Sequence, residues 1–362
     1  MPSYLHTTPN VFVGRFNYPN LSVGILNAKY INDHDDPKLW AKNNYQLESI
    51  ITLRKELINS SFQSPIKQLK GKLIDIAREI SLSSKPVDIE IELDKEPTPA
   101  IKFNKDAMPH GSSVKLKGLS YSSYPKIPLK VEKVLSDELK ASEGLNKLYK
   151  QDFDVYYLIK SFTLGNYGIP IERKLVPTRW GITAVDDQLG KQLIKEIKDF
   201  SNLDYQFQYC SYLGNHYIIL YFPDNWSYEL FEMALSSREI WTDYESNFGR
   251  TCYAESTAGG YYASRLSVLE YLKQSKRQAA TLVLRVITDD YYAKMGVWVC
   301  RETAKKATKT NPISFNSKED MLKFTSLFIK KKFDYDIDKW FKESRLLKEI
   351  NMQNKLTKWI KN

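Results

Sequence analysis

The stretch LVPTRWGITAVDDQLGK (175–191) crowds Arg179, Trp180, Asp186 and Asp187 into a short span. A carboxylate pair beside an arginine could serve a metal, a phosphate or acid–base chemistry. The structural alternative is equally concrete. Thr183 could cap a helix with Asp186 three residues on in capping-box position, both aspartates then favouring the positive helix end. Two adjacent aspartates also need a third ligand before they hold a metal. TAGGYYASR (257–265) offers Gly259 and Gly260 ahead of a helix, with Tyr261 and Arg265 following. Free backbone N–H groups there could hold an anion, or the glycines could let the helix pack closely on a strand. In VGRFNYP (13–19), Arg15 sits among aromatic residues. It could stack a base, hold a phosphate, or simply face solvent on a strand. One pocket gathering Arg15, Arg179, Trp180, Asp186, Asp187, Tyr261 and Arg265 would make an enzyme acting on nucleic acid or a nucleotide. No nucleophile–histidine arrangement is legible, and the residues call for no cofactor.

A second kind of chemistry lies at the C-terminus, QNKLTKWIKN (353–362). Gln353, Leu356, Trp359 and Ile360 follow the spacing Q-x-x-aliphatic-x-x-aromatic-aromatic of peptides that dock on sliding clamps, with Ile360 in place of the second aromatic. One helical turn brings Leu356, Trp359 and Ile360 together as an apolar plug. A continuing helix is the alternative, but Gln353 interrupts its apolar stripe. Basic residues gather just before, in RETAKKATKT (301–310) and IKKKF (329–333). Lys305, Lys306, Lys309, Lys330, Lys331 and Lys332 are the candidates for sequence-tolerant contact with DNA phosphates.

The elements that position these residues alternate without a βαβ rhythm. Strands are expected at both ends of 11–26, around a turn at Tyr18-Pro19-Asn20, and at 86–93, where Val87, Ile89, Ile91 and Leu93 alternate with acids. Helices are expected at 35–58, at 64–80 with Ser64 as cap and Pro65 next, at about 136–150 and 153–164, and in 175–200 after a loop holding Arg179 and Trp180. Residues 94–128, rich in proline and serine, read as one long surface loop. A hairpin turning at Gly214-Asn215 follows (205–222), then a short helix at 226–235. Next come a helix at 254–277, strands at 280–287 and 295–301, and helices at about 317–330 and 336–350. The fold class is α+β, with mixed sheets and packed helices in two regions and a flexible C-terminal tail.

With 42% hydrophobic residues over 362 positions, the chain has material for a large core and is no disordered tract. Its apolar runs, such as YIILYF, are too short to span a bilayer, and the start lacks a signal-peptide pattern. Cys210, Cys252 and Cys300 are widely separated, without metal-ligand spacing, which suits a reduced cytoplasmic protein and no metal. The formal charge of +10 permits nucleic-acid binding without requiring it.

Several long segments carry a resemblance. NVFVGRFNYPNLSVG, ISLSSKPVDIEIEL, YPKIPLKVEKVLSD, KLVPTRWGITAVDDQLGK, YAESTAGGYYASRLSVLEYLKQSKRQAA and GVWVCRE resemble the archaeal Nre DNA repair proteins. The resemblance implies a cytoplasmic protein of the DNA damage response that binds the sliding clamp PCNA through a C-terminal PIP box, here Gln353, Leu356, Trp359 and Ile360. It also implies an N-terminal region (1–245, including the 94–128 loop), a C-terminal region (246–350) and a clamp-binding tail (351–362), with the junction near Tyr244–Arg250. Many members have a four-cysteine cluster ahead of the VGRF segment. No cysteine precedes Asn10 here, so zinc and any DNA contact through it are not carried over. The family brings no settled reaction. The expectation is a clamp-tethered, DNA-binding repair factor, with an enzyme or a non-catalytic adaptor as the alternatives.

Overall fold

The computed structural model describes residues 2–101 and 108–360, the last eight of these by backbone alone. The described chain is α+β and divides into two compact units: residues 1–189 with 293–296, and residues 190–292 with 297–362.

The first unit is built on a closed barrel of β1 (Ser3–Val13), β2 (Asn20–Ala28), β3 (Ile58–Pro65), β4 (Val87–Leu93) and β5 (Ser113–Tyr121), in the order β1-β2-β3-β5-β4 with β4 returning to β1. Neighbours run antiparallel except β3 and β5. The strict alternation of β4 explains its place: Val87, Ile89, Ile91 and Leu93 fill the interior, and Asp88, Glu90 and Glu92 face water. Val11, Val13, Leu21, Val23 and Ile25 complete that interior, which Ile74, Ala77 and Ile80 of α3 (Lys72–Leu82) cover.

Three expectations are corrected here. The helix expected over 35–58 is two short ones, α1 (Pro37–Lys42) and α2 (Leu47–Lys55), because Asn43 ends the first and Asn44 takes φ 54°. α1 starts on a side-chain cap: the Asp36 side chain accepts from Leu39 N–H with Pro37 next. Ser64 and Pro65, taken for a helix start, instead end β3, with Pro65 opposite Asn20. α3 begins after Gly71, whose φ of 132° turns the chain. The loop expected over 94–128 contains β5, whose Val114 and Leu116 point inward while Lys115 and Lys117 point out. Helices α4 (Leu129–Ser136), α5 (Ala141–Tyr149) and α6 (Val155–Thr163) precede α7 (Thr178–Ile197).

In the second unit, β6 (Ser201–Asn202) is followed by β7 (Gln206–Tyr212), β8 (Asn215–Phe222), β9 (Ser227–Ala234) and β10 (Ile240–Glu245). After α8 (Ala258–Ser275) come β11 (Arg277–Gln278), β12 (Ala280–Ile287), α9 (Trp298–Ala307) and β13 (Ile313–Ser314). The last helices are α10 (Lys318–Phe333), α11 (Asp338–Glu343) and α12 (Arg345–Ile360). Six strands form one sheet in the order β10-β9-β12-β8-β7-β13, and β11 pairs with β6 apart from it. β12 lies between β9, its parallel neighbour, and β8, its antiparallel neighbour.

Two further expectations are corrected. Residues 226–235 form strand β9 rather than a helix, and 295–301 lead into helix α9 rather than a strand. One sheet face packs Ile218, Leu220, Phe231, Leu282 and Leu284 against Met321, Ile329, Trp340 and Leu347 of α10–α12. The opposite face meets α8: Ser264 Oγ lies 3.1 Å from Tyr217 Oη, and the Tyr221 and Tyr271 rings are 5.4 Å apart. Glu229 of β9 caps α12, accepting from Ser344 Oγ at 2.5 Å and from the N–H groups of Arg345 and Leu346 at 3.0 and 3.1 Å.

Candidate functional site

The β1–β2 turn and the start of α7 are tied in the first unit by Val13 N–H donating to Thr178 Oγ1 at 2.8 Å. Around that bond gather residues of both segments. The Arg15 guanidinium lies 5.3 Å above the Phe16 ring, and the Tyr18 and Trp180 rings are 5.9 Å apart. Phe16, Tyr18 and Trp180 are 58%, 55% and 47% exposed. Arg15 follows the end of β1 rather than standing within it, and Arg179 and Trp180 occupy the first turn of α7 rather than a loop. Because α7 begins at Thr178, Thr183 is not its cap. Asp186 and Asp187 lie in its third turn, away from its positive end. Asp186 is fully buried, whereas Arg179, about 10 Å nearer the helix start by the 1.5 Å rise per residue, is exposed. Among the described residues, no group of three His, Cys, Asp or Glu could hold a metal.

Tyr261 and Arg265 belong to the second unit, within a buried polar layer on the α8 side of the sheet. Arg265 donates to Glu245 Oε2 at 2.7 Å, with both side chains completely shielded from water. Trp226 Nε1 donates to the other oxygen of Glu245 at 3.1 Å, and the Arg265 guanidinium lies 5.8 Å from the Tyr261 ring and 5.4 Å from that of Tyr262. Burial raises the Tyr261 phenol well above its ordinary value. A second pair, Arg285–Glu232 at 2.7 Å, is joined by Asn215, whose Oδ1 accepts from Arg285. Gly259 and Gly260 serve packing. A Cβ on Gly259 would lie 2.6 Å from Val297, and one on Gly260 would lie 2.5 Å from Glu232 Oε1.

Glu245, Glu232, Arg285 and Trp226 are not among the residues that the sequence singles out. The available signal was charge inside apolar runs, Arg285 in ATLVLRVI and Glu229 and Glu232 in SYELFEMAL. Such charges survive burial only when paired.

The six candidate lysines fall into two groups. Lys305 and Lys306 end α9 on the α8 side of the sheet, with Lys309 just beyond; Lys330, Lys331 and Lys332 end α10 on the other side. Lys305 pairs with Glu270 at 3.3 Å and Lys330 with Asp334 at 2.7 Å, while Lys306 lies 4.5 Å over the Tyr212 ring and Lys332 5.2 Å over that of Tyr209.

Beside Lys332, His216 is 2.8 Å from Tyr209 Oη. Burial first, and then the Lys332 charge, bring the His216 pKa down to about 4 against the pull of Asp290. The neutral ring is thus the native form, and its contribution, complete above the unfolded value near 6.5, is lost as pH falls toward 4. In a nuclear magnetic resonance titration of Lys332→Ala, the His216 midpoint should move upward. An unchanged midpoint would mean that the Lys332 charge does not reach the ring.

Gln353, Leu356, Trp359 and Ile360 have side chains outside the described residues. Their backbone continues α12, so the helix runs on through Gln353 instead of stopping near residue 350.

A barrel unit and a sheet unit with buried arginine–carboxylate pairs define a two-unit α+β protein for which no solved structure matches. The chain belongs to the archaeal Nre family: residues 3–242 match Archaeal Nre, N-terminal, and residues 245–359 match Archaeal Nre, C-terminal. It is similar to DNA repair protein NreB of Archaeoglobus fulgidus, 34% identical over 94% of this chain and 88% of that protein. NreA of the same organism, also named a DNA repair protein, is 37% identical over 90% of this chain and 84% of its own length. DNA repair protein NreA of Haloferax volcanii is 33% identical over 84% of this chain and 77% of that protein. The two family regions meet at 242–245, whereas the compact units part at Leu189–Gly190 within α7. Among the described residues, no helix is long and apolar enough to cross a membrane.

Proposed function

We propose that this chain is a cytoplasmic DNA repair factor held at the sliding clamp PCNA by Gln353, Leu356, Trp359 and Ile360, with DNA contacted through basic surface. The single observation that carries the repair role is the extent of the kinship, end to end with proteins named for DNA repair. The tether rests on the spacing of the four tail residues at one end of a helix whose first turn is fixed to the body by Glu229. Mounted there, a short plug gains effective concentration whenever the body also touches DNA, so modest peptide affinity suffices. The division proposed for the chain is 1–245, 246–350 and a tail.

Leu356→Ala with Trp359→Ala should weaken clamp binding at least tenfold in calorimetry, about 1.4 kcal/mol or more. Alanine favours helix, so the melting temperature should stay at the wild-type value. Unchanged affinity removes the tether. A large loss of thermal stability would instead make both residues part of the core.

A further inference from the structure

The barrel order β1-β2-β3-β5-β4, closing on β1 with β3 and β5 its one parallel pair and α3 between β3 and β4, has a functional counterpart. It is the Greek-key order of OB barrels, which hold oligonucleotides or oligosaccharides on the β2–β3 face and in the β1–β2 and β4–β5 loops. Here the β1–β2 turn carries Phe16 and Tyr18, largely exposed, where turns favour small polar residues. Trp180 stands beside Tyr18, and Thr178 fixes the start of α7 to the end of β1. Two arginines flank the rings, Arg15 over Phe16 and the exposed Arg179 next to Trp180. On the adjoining strands, the outward Ser22, Ser61 and Gln63 are small or uncharged. Ile66 N–H donates to Pro19 O at 2.9 Å, which brings the turn close to the exposed Lys67.

Exposed rings ringed by cations suit a ligand with both π faces and negative charge. Neutral sugar rings offer C–H faces with neither a π system nor a charge, and a duplex hides its base faces. We propose that this corner binds single-stranded DNA, stacking bases on Phe16, Tyr18 and Trp180 while Arg15 and Arg179 meet the phosphates. The choice of DNA over RNA rests on the repair reading; the stacking site does not depend on the clamp tether.

The test uses the full chain and fluorescence anisotropy with a labelled oligothymidine of about 15 nucleotides, the upper range of one OB barrel. The single strand should bind more tightly than the duplex or the matching RNA. Phe16→Ala, Tyr18→Ala and Trp180→Ala should each weaken it about tenfold, with Trp180→Phe retaining most of the affinity. Because stacking releases no counterions, the salt slope should stay unchanged in these variants and fall in Arg15→Gln. Equal or tighter binding of duplex or RNA overturns the proposal, as does wild-type affinity in the triple alanine variant. Should a variant misfold, photocrosslinking of a 5-iododeoxyuridine strand to the wild-type chain decides: adducts on Phe16, Tyr18 or Trp180 support the site, and adducts confined to 305–332 overturn it. Calorimetry against the clamp is read separately, so loss of the tether and loss of the stacking site are distinguishable.

Discussion

Arg265→Ala should lower the free energy of unfolding by about 3–5 kcal/mol, read by urea denaturation at neutral pH. The reason is what remains. Glu245 is wholly shielded from water and would be left with the Trp226 indole as a donor in place of a cation. A carboxylate stripped of its cation in that place costs far more than the pair contributes when intact. Replacing both partners, Arg265→Leu with Glu245→Leu, should therefore recover much of the loss. Gly190→Ala gives a milder version, since its Cβ would fall 2.7 Å from the Arg265 guanidinium. If Arg265→Ala unfolds at the wild-type midpoint, the pair is not a structural element, and a role for Arg265 in chemistry returns to the foreground.

In the barrel unit, Asp35→Ala should cost a similar amount, about 3–5 kcal/mol. Arg54 is buried, donating to Asp35 at 2.5 Å and to the Pro109 carbonyl at 2.9 Å, and Asn10 of β1 donates to the other Asp35 oxygen at 2.6 Å. Asp35 thus ties the first barrel strand to α2 and to the chain ahead of β5. Burial lowers the Arg54 pKa, and only Asp35 opposes that shift. Lys160 adds a second readout. Burial brings its pKa down to about 8, with Asp35 holding it up, so Asp35→Ala should lower the Lys160 titration midpoint further. Hydrogen exchange should show lost protection in β1 and α2. Retained protection and an unmoved Lys160 midpoint would together remove Asp35 from this role.

The parts of the fold that could be read from sequence are those with one buried face. β4 alternates because one side meets the barrel interior and the other meets water. β9 and α9 escape a sequence reading for the opposite reason. Their central residues are buried on all sides, so neither period survives in the pattern of apolar residues. What remains is residue preference, and it points the wrong way: Leu, Met, Glu and Ala in β9 favour helix, while Val297, Trp298 and Val299 favour strand. Ser64-Pro65 imitates a helix start, yet β2 supplies a pairing partner that local sequence does not reveal. The site residues divide similarly. Arg15, Arg179 and Trp180 stand out as unusual types in loop-like surroundings. Glu232, Glu245 and Arg285 do not stand out, because each pairs with a residue far away in the chain.

The place of β12 bears on how the chain is made. The five barrel strands all lie within residues 3–121, so a nascent chain holds every barrel strand long before synthesis ends. The sheet has no such freedom. β8 and β9 are complete by Ala234, but the strand that joins them, β12, spans residues 280–287. At about 5–20 residues per second, the two strands wait several seconds on the ribosome with facing edges unpaired. Those edges carry Ile218, Ile219, Leu220 and Phe231, a sequence that invites strand addition from other chains. The interval between Ala234 and Ile287 is therefore where a slow codon, a heat shock or a missing chaperone would do the most harm.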